Sequence, residues 1–257
     1  MQKVFNAWAW TTTVGVVLVG FVAVSLVFLC TAPFDPGRYW AGRTFRLLAV
    51  SQVKLNPLWR FRTSGRPVRD PRRPYVVVSN HESYADIFLI SLLPWEMKWL
   101  SKETIFRIPV MGWMMRMAGD VAIVRGNRDS AVGALDSCMD RLAKRVSVMI
   151  FPEGTRSKTA DLLPFKDGAF RLAIESGAPL LPLAVAGTRH AMAKGTFQFR
   201  RADAIVSVLD PIETTGLTFA DLPALKERAR RAIIDGRSAL QRELGIAADD
   251  ATRPDDA

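Results

Sequence analysis

The strongest constraint on this chain is a stretch without charge. No Asp, Glu, Lys or Arg occurs between Lys3 and Asp35. At about 1.5 Å per residue, a helix over residues 8–32 is long enough to cross a hydrocarbon core of roughly 30 Å. A secretory signal peptide is the competing reading, but such peptides carry an apolar core of about 7–15 residues behind a basic start. Here a single Lys precedes a longer run, and Pro33-Phe34-Asp35-Pro36 follows it. An uncleaved membrane helix within residues 1–34 fits better.

The 257 residues hold 35 Lys and Arg against 25 Asp and Glu, a formal charge of +10. A surplus of that size suits either nucleic acid or an anionic lipid surface, and its placement decides between them. Residues 35–74 contain ten basic side chains (Arg38, Arg43, Arg46, Lys54, Arg60, Arg62, Arg66, Arg69, Arg72, Arg73) and two acidic ones (Asp35, Asp70). Cations beside a membrane helix bias its orientation toward the cytoplasm and interact with anionic headgroups at about 1 kcal/mol each. The body is therefore expected at the cytoplasmic face of the membrane, single-pass or monotopic, with an anionic membrane surface and no nucleic acid as partner. Tyr39, Trp40, Phe45, Trp59 and Phe61 are interleaved with the cations, as in an amphipathic helix or hairpin at a lipid interface. A solvated basic linker is the alternative. Cys30 and Cys138 have no Cys or His close by in sequence, which excludes a disulfide framework and a C-x-x-C zinc site.

After Pro74 short apolar runs alternate with helical periods. Residues 75–79, 120–124, 146–151, 180–185 and 204–209 are rich in β-branched residues and read as buried strands. Between them, Asp129 or Ser130 caps a helix with an apolar face of Val132, Leu135, Met139, Leu142 and Val146; residues 166–176 form another, ended by Gly177; Asp221 opens the last. The fold class expected is α/β, a mixed, mainly parallel sheet flanked by helices over residues 75–246, with an acidic flexible tail over 247–257. Residues 104–118 carry Ile105, Phe106, Ile108, Val110, Trp113 and four Met beside Arg107 and Arg116. This is either core or a surface that meets a membrane or an acyl chain.

His81 and His190 are the only histidines. His81 follows the strand of residues 75–79, at the kind of strand-to-helix junction where ligands collect. Asp86 is five residues on. With His81 in the loop and a helix starting at Ser83, Asp86 falls in the first turn and can point back to one imidazole nitrogen, leaving the other as a general base. Ser83-x-x-Asp86 also spells a capping box, which would occupy the carboxylate with backbone donors instead. A zinc-protease reading of His81-Glu82 fails because position 85 is Ala, and neither a G-x-S-x-G elbow nor a Walker A loop is present. Residues 151–157, Phe-Pro-Glu-Gly-Thr-Arg-Ser, directly follow a strand; Gly, hydroxyls and Arg in that place present donors to an oxyanion, preferably a phosphate. An ordinary turn with a surface Arg is the alternative. Arg125 and Lys102 are further cations at comparable strand ends.

These blocks resemble, in order, the motifs of the glycerolipid acyltransferases, the 1-acylglycerol-3-phosphate acyltransferase family. Residues 80–86 are similar to its N-H-x-x-x-x-D motif, 119–125 to G-x-x-F-I-x-R, 151–157 to F-P-E-G-T-R-S and 180–185 to its V-P-[IV]-x-[IV] strand. The resemblance spans residues 75–190. One departure is Val121-Ala122-Ile123, where the motif has a Phe before its Ile. The resemblance implies a membrane-bound acyltransferase that uses no cofactor. Its donor would be acyl-CoA or acyl-carrier protein, and its lysophospholipid acceptor the sn-2 hydroxyl of lysophosphatidate. His81 would be the base and Asp86 its support; Lys102, Arg125 and Arg156 would bind the acceptor phosphate in a pocket shaped by Glu153, Gly154 and Thr155. Pro182 would shape a neighbouring wall or merely end a strand, and His190 would be structural. Acylation of a phosphate-free lyso-lipid and a non-enzymatic basic membrane scaffold are the alternatives.

Overall fold

A computed structural model describes residues 2–157, 161–189, 191–192 and 198–246. His190 and the tail at 247–257 lie outside them. The elements run α1 (Gln2–Thr31), α2 (Tyr39–Leu55), β1 (Trp59–Gly65), β2 (Val76–Ser79), α3 (Ala85–Ile90), β3 (Met97–Lys102), α4 (Glu103–Phe106), α5 (Met111–Ala118) and β4 (Val121–Ile123). There follow α6 (Arg128–Ala143), β5 (Ser147–Ile150), α7 (Gly168–Ser176), β6 (Leu180–Ala186), β7 (Ala202–Val208) and α8 (Leu222–Leu244).

The strands form one sheet in the order β1-β7-β6-β2-β5-β3-β4, parallel throughout except where β7 meets β6. Period-two alternation sorts its side chains. Val76, Val78, Val148 and Ile150 face α6, α7 and α8, whereas Val77, Met149, Leu181 and Leu183 face α3 and the turn after it. Since β6, β2, β5, β3 and β4 all run the same way, their C-terminal ends share one edge of the sheet.

Two strands were not among those expected. β1 falls inside residues 35–74, so the sheet starts well before residue 75 and that boundary moves. Trp59 and Phe61 alternating with Arg60 and Arg62 suit a half-buried edge strand as well as a lipid interface, and β1 pairs with β7 from Trp59↔Ala202 to Gly65↔Val208. β3 is masked in sequence because Lys98 interrupts its apolar run. α6 is capped by Asn127, whose side chain accepts from the Ser130 N–H, not by Asp129 or Ser130.

α1 and α2 form an antiparallel hairpin. Trp8 Nε1 donates to the Leu55 carbonyl at 2.9 Å, Gln52 Nε2 to the Ala9 carbonyl at 3.3 Å, and a Cβ on Gly20 would strike Leu48. α1 has a mean hydropathy of 2.7 over a membrane-length window and exposes Val14, Leu18, Val19, Val22, Leu26 and Leu29. Its other side is fastened along the body: Asn6 Oδ1 accepts from the Phe199 N–H at 2.9 Å, and Val24 packs with Phe45, Phe106, Met114 and Met115. The inner face of residues 104–118 is thus core, while Ile108 and Trp113 remain half exposed.

The basic segment is bound into the protein more than its composition implies. Arg46 is buried against Asp120 and 3.8 Å from Glu96, which in turn pairs with Lys98 at 3.0 Å; Lys98 Nζ also donates to the Arg38 carbonyl at 2.6 Å. Burial pushes the Glu96 carboxyl up and the Lys98 ammonium down, and their mutual attraction opposes both shifts. Arg43 donates to the Leu93 carbonyl, Arg72 lies over the Tyr39 ring, and Arg62, Arg66 and Arg73 pair with Glu243, Asp210 and Glu213. These cations fasten elements together as well as charging a surface.

Removing one member of a buried charge network leaves the others unpaired, at a cost of about 3–5 kcal/mol. Arg46→Met is therefore expected to destabilise the purified protein by that amount in denaturant titration. A loss below about 1 kcal/mol, the range of surface pairs, would show that the network carries no such load.

Candidate active site

Asp86 is fully buried in the first turn of α3. Its Oδ2 lies 2.7 Å from His81 Nδ1 and accepts from the backbone N–H of Glu82 at 2.7 Å and of Ser83 at 3.0 Å. Its Oδ1 accepts from the Thr188 hydroxyl just beyond β6. The two sequence readings of Asp86 thus coincide, since one oxygen both ties the N-terminal turn and faces the imidazole. An ionised carboxylate only accepts, so Nδ1 carries the hydrogen and Nε2 is left as the basic nitrogen. Among the described residues no group bonds Nε2. The ring is stacked on Phe151, with centroids 3.9 Å apart and planes 13° from parallel.

The segment after β5 grips His81 by its main chain. Glu153 Oε1 accepts from the His81 N–H at 2.8 Å, and the Ser157 N–H donates to the His81 carbonyl at 3.1 Å. Glu153 Oε2 also accepts from the Leu163 N–H at 2.9 Å. The buried Glu153 carboxylate thus accepts from two backbone donors and braces the loop that carries His81. Burial pushes that carboxyl up, while the two N–H groups and His81 work the other way. Gly154 has φ +69°, in the left-handed region, so the backbone calls for glycine there; a Cβ would meet only the movable end of the Lys166 side chain.

Arg156 lies with its guanidinium carbon 3.7 Å from the centre of the Tyr84 ring, which places a cation beside the segment containing His81. Its Nη1 is buried, with no hydrogen-bond partner among the described residues. A buried, unsatisfied charged donor is costly, which suits a site built to receive an anion. Thr155 is exposed beside it. Lys102 and Arg125 are exposed at the ends of β3 and β4, one and two strands from β5. At about 4.8 Å per strand they extend the cationic row along the same edge, but they do not bond to the His81 cluster.

Five supporting residues were given no role by the sequence reading. Asn80 pairs with both backbone groups of Val185 at 2.9 Å, as one more strand residue would. Thr188 and Tyr84 contact Asp86 and Arg156, and Glu82 pairs with Arg237 of α8 at 2.6 Å. The signal for the last was an Arg in the otherwise apolar stripe of a helix.

A family model described as Acyltransferase matches residues 60–186. The chain is 46% identical over 123 residues to the chloroplastic 1-acyl-sn-glycerol-3-phosphate acyltransferase BAT2 of Brassica napus, covering 48% of this chain and 36% of that protein. It is 34% identical over 193 residues to human 1-acyl-sn-glycerol-3-phosphate acyltransferase alpha, covering 74% and 68%. The chain thus spans about a third to two thirds of the length of these curated relatives. Among solved structures, the 1-acyl-sn-glycerophosphate (LPA) acyltransferase PlsC from Thermotoga maritima has the same fold, with a TM-score of 0.75 at 23% identity over 96% of this chain and 99% of that one. With the sheet, the ordered motifs and these relatives in agreement, the chain belongs to the glycerolipid acyltransferase family.

Proposed function

We propose that the chain transfers a fatty acyl group from the thioester of acyl-CoA or acyl-carrier protein to the sn-2 hydroxyl of 1-acylglycerol-3-phosphate, giving phosphatidate. The observation that carries this reading is the 2.7 Å contact between His81 Nδ1 and the buried Asp86 carboxylate, with Nε2 open. The names of the Brassica napus and human relatives support the choice of acceptor.

In this reading His81 Nε2 takes the proton of the acceptor hydroxyl as its oxygen forms a bond to the thioester carbonyl carbon. The tetrahedral intermediate collapses with cleavage of the carbon–sulfur bond, and the imidazolium returns the proton to the departing thiolate. Asp86 holds the tautomer and stabilises the imidazolium without taking the proton. Transfer is direct, so no acyl-enzyme forms. Arg156 binds the acceptor phosphate, joined from the same sheet edge by Lys102 and Arg125, with Gly154 and Thr155 at its rim. The protein needs no cofactor for these steps.

The α1–α2 hairpin is the membrane anchor in this reading. Because α1 is fastened to the body from Asn6 to Val24, it enters the cytoplasmic leaflet with the body alongside, as a monotopic element. Its uncovered face and Trp113 meet lipid, and the remaining cations of residues 35–74 meet anionic headgroups.

His81→Ala is expected to lower kcat by about 10²–10⁴-fold in an acyl-transfer assay on folded enzyme; undiminished transfer would sink the assignment. Arg156→Ala should cost about 2 kcal/mol of phosphate binding, or roughly thirtyfold in KM for lysophosphatidate. A phosphate-free lyso-lipid assayed in parallel should be far less affected, and equal effects on both acceptors would remove Arg156 from the phosphate site.

A further inference from the structure

Leu225, Ala229, Ile233 and Leu240 form the buried stripe of α8, at helical spacing. Arg237 occupies a place in that stripe, four residues after Ile233 and three before Leu240, and is buried with them. A guanidinium at a core-facing position is costly unless it is paired and hydrogen-bonded. It is paired: Nε donates to Glu82 Oε1 at 2.6 Å, with the two side chains only 10% and 5% exposed.

Glu82 is the residue after His81. Its backbone N–H donates to Asp86 Oδ2 at 2.7 Å, the same oxygen that faces the imidazole. One residue therefore has its main chain tied to the carboxylate that orients His81 and its side chain tied to the last helix. The other supports come from the segment after β5, where Glu153 and Ser157 hold the His81 peptide. α8 is packed against β6, with Gly236 close enough that a Cβ would touch Ala184 and Leu209, so Arg237 reaches the loop from a rigid base. Burial pushes the Glu82 carboxyl up; Arg237 is the chief influence holding it down, Asp86 repels it, and Arg189 adds a weaker pull downward. Arg237 also lies beyond residues 60–186, the span that matches the family.

We propose that Arg237 is a positioning residue for acyl transfer: through Glu82 it holds the loop of residues 81–86 so that His81 and Asp86 stay in register. This rests on His81 acting as the base. Without the Arg237 guanidinium, the buried carboxylate loses its hydrogen-bonded partner and keeps only the weaker pull of Arg189 against the repulsion of Asp86, so it is driven toward water, and the N–H that Asp86 accepts moves with it. Displacement of a reacting group by 1 Å can cost about a hundredfold in rate.

The test uses the full chain with Arg237→Met, Arg237→Lys and the double variant Glu82→Gln/Arg237→Met. The double variant removes both members of the buried pair, so it avoids the carboxylate that the single change leaves without its hydrogen-bonded partner. Two readouts are taken: acyl transfer from acyl-CoA to lysophosphatidate, and the rate at which diethyl pyrocarbonate modifies His81, followed by peptide mass spectrometry and needing no substrate. The expected result is a kcat about tenfold to a hundredfold lower in the Met and double variants with KM unchanged, and a severalfold change in His81 modification. The Lys variant, whose Nζ can reach Glu82, should restore most of both. A folded double variant with wild-type kcat and modification rate overturns the proposal, as does a Lys variant no better than Met. If the wild-type chain transfers no acyl group while the modification rates still change, the clamp stands and the acyltransferase reading fails.

Discussion

The site depends on one buried carboxylate. Asp86 is removed from water, and an isolated ion in such a place would cost several kcal/mol or shed its charge. It keeps its place because its two oxygens are met by an imidazole nitrogen, two backbone N–H groups and a hydroxyl. Three pieces must meet for this: the loop after β2 and the segment just beyond β6, which supply the donors, and the start of α3, which carries the carboxylate. The requirement is reciprocal, since the carboxylate is tolerable only when all three are assembled, and their assembly aims His81. Folding and site formation are then one event.

Buried charge is used a second time, for a different purpose. Arg46, Glu96, Lys98 and Asp120 lie between α2 and the strands β3 and β4. Apolar contact alone would let an amphipathic hairpin slide against the sheet, because one aliphatic surface packs about as well as its neighbour. Charges that must be paired at fixed positions do not permit that freedom. The network therefore sets the register between the apolar N-terminal hairpin and the sheet whose edge carries the site, a role for which buried polar groups are well suited.

The central strands and the two main motifs were legible because each has a local signature: β-branched runs for β2, β5, β6 and β7, and residue spacing for 80–86 and 151–157. What escaped depended on partners far away in sequence. β1 looked like interfacial chain because aromatic-basic alternation fits either environment, and only pairing with β7 selects the strand. Lys98 hid β3, since a lysine in a buried strand makes sense only once Glu96 and the Arg38 carbonyl are beside it. The hold that Glu153 has on the chain was not visible either, because its partners are backbone donors at positions 81 and 163. The cations of residues 35–74 could be counted but not assigned, because a count does not reveal whether the opposing carboxylate lies in the same chain.

The order of the sheet leaves β1 and β4 at its two margins. An open margin offers unpaired N–H and C=O groups to any passing strand, and so invites copies of a chain to polymerise. β4 is three residues long, too short to template an extended partner. β1 is longer, but carries Arg60 and Arg62 on alternate positions and ends in a glycine at φ +86°. Arg62 is further drawn to Glu243 of α8 at 3.3 Å. A second copy adding there would bring its own β1 cations against these, so the guanidinium spacing that disguised the strand also protects the fold from edge-to-edge aggregation.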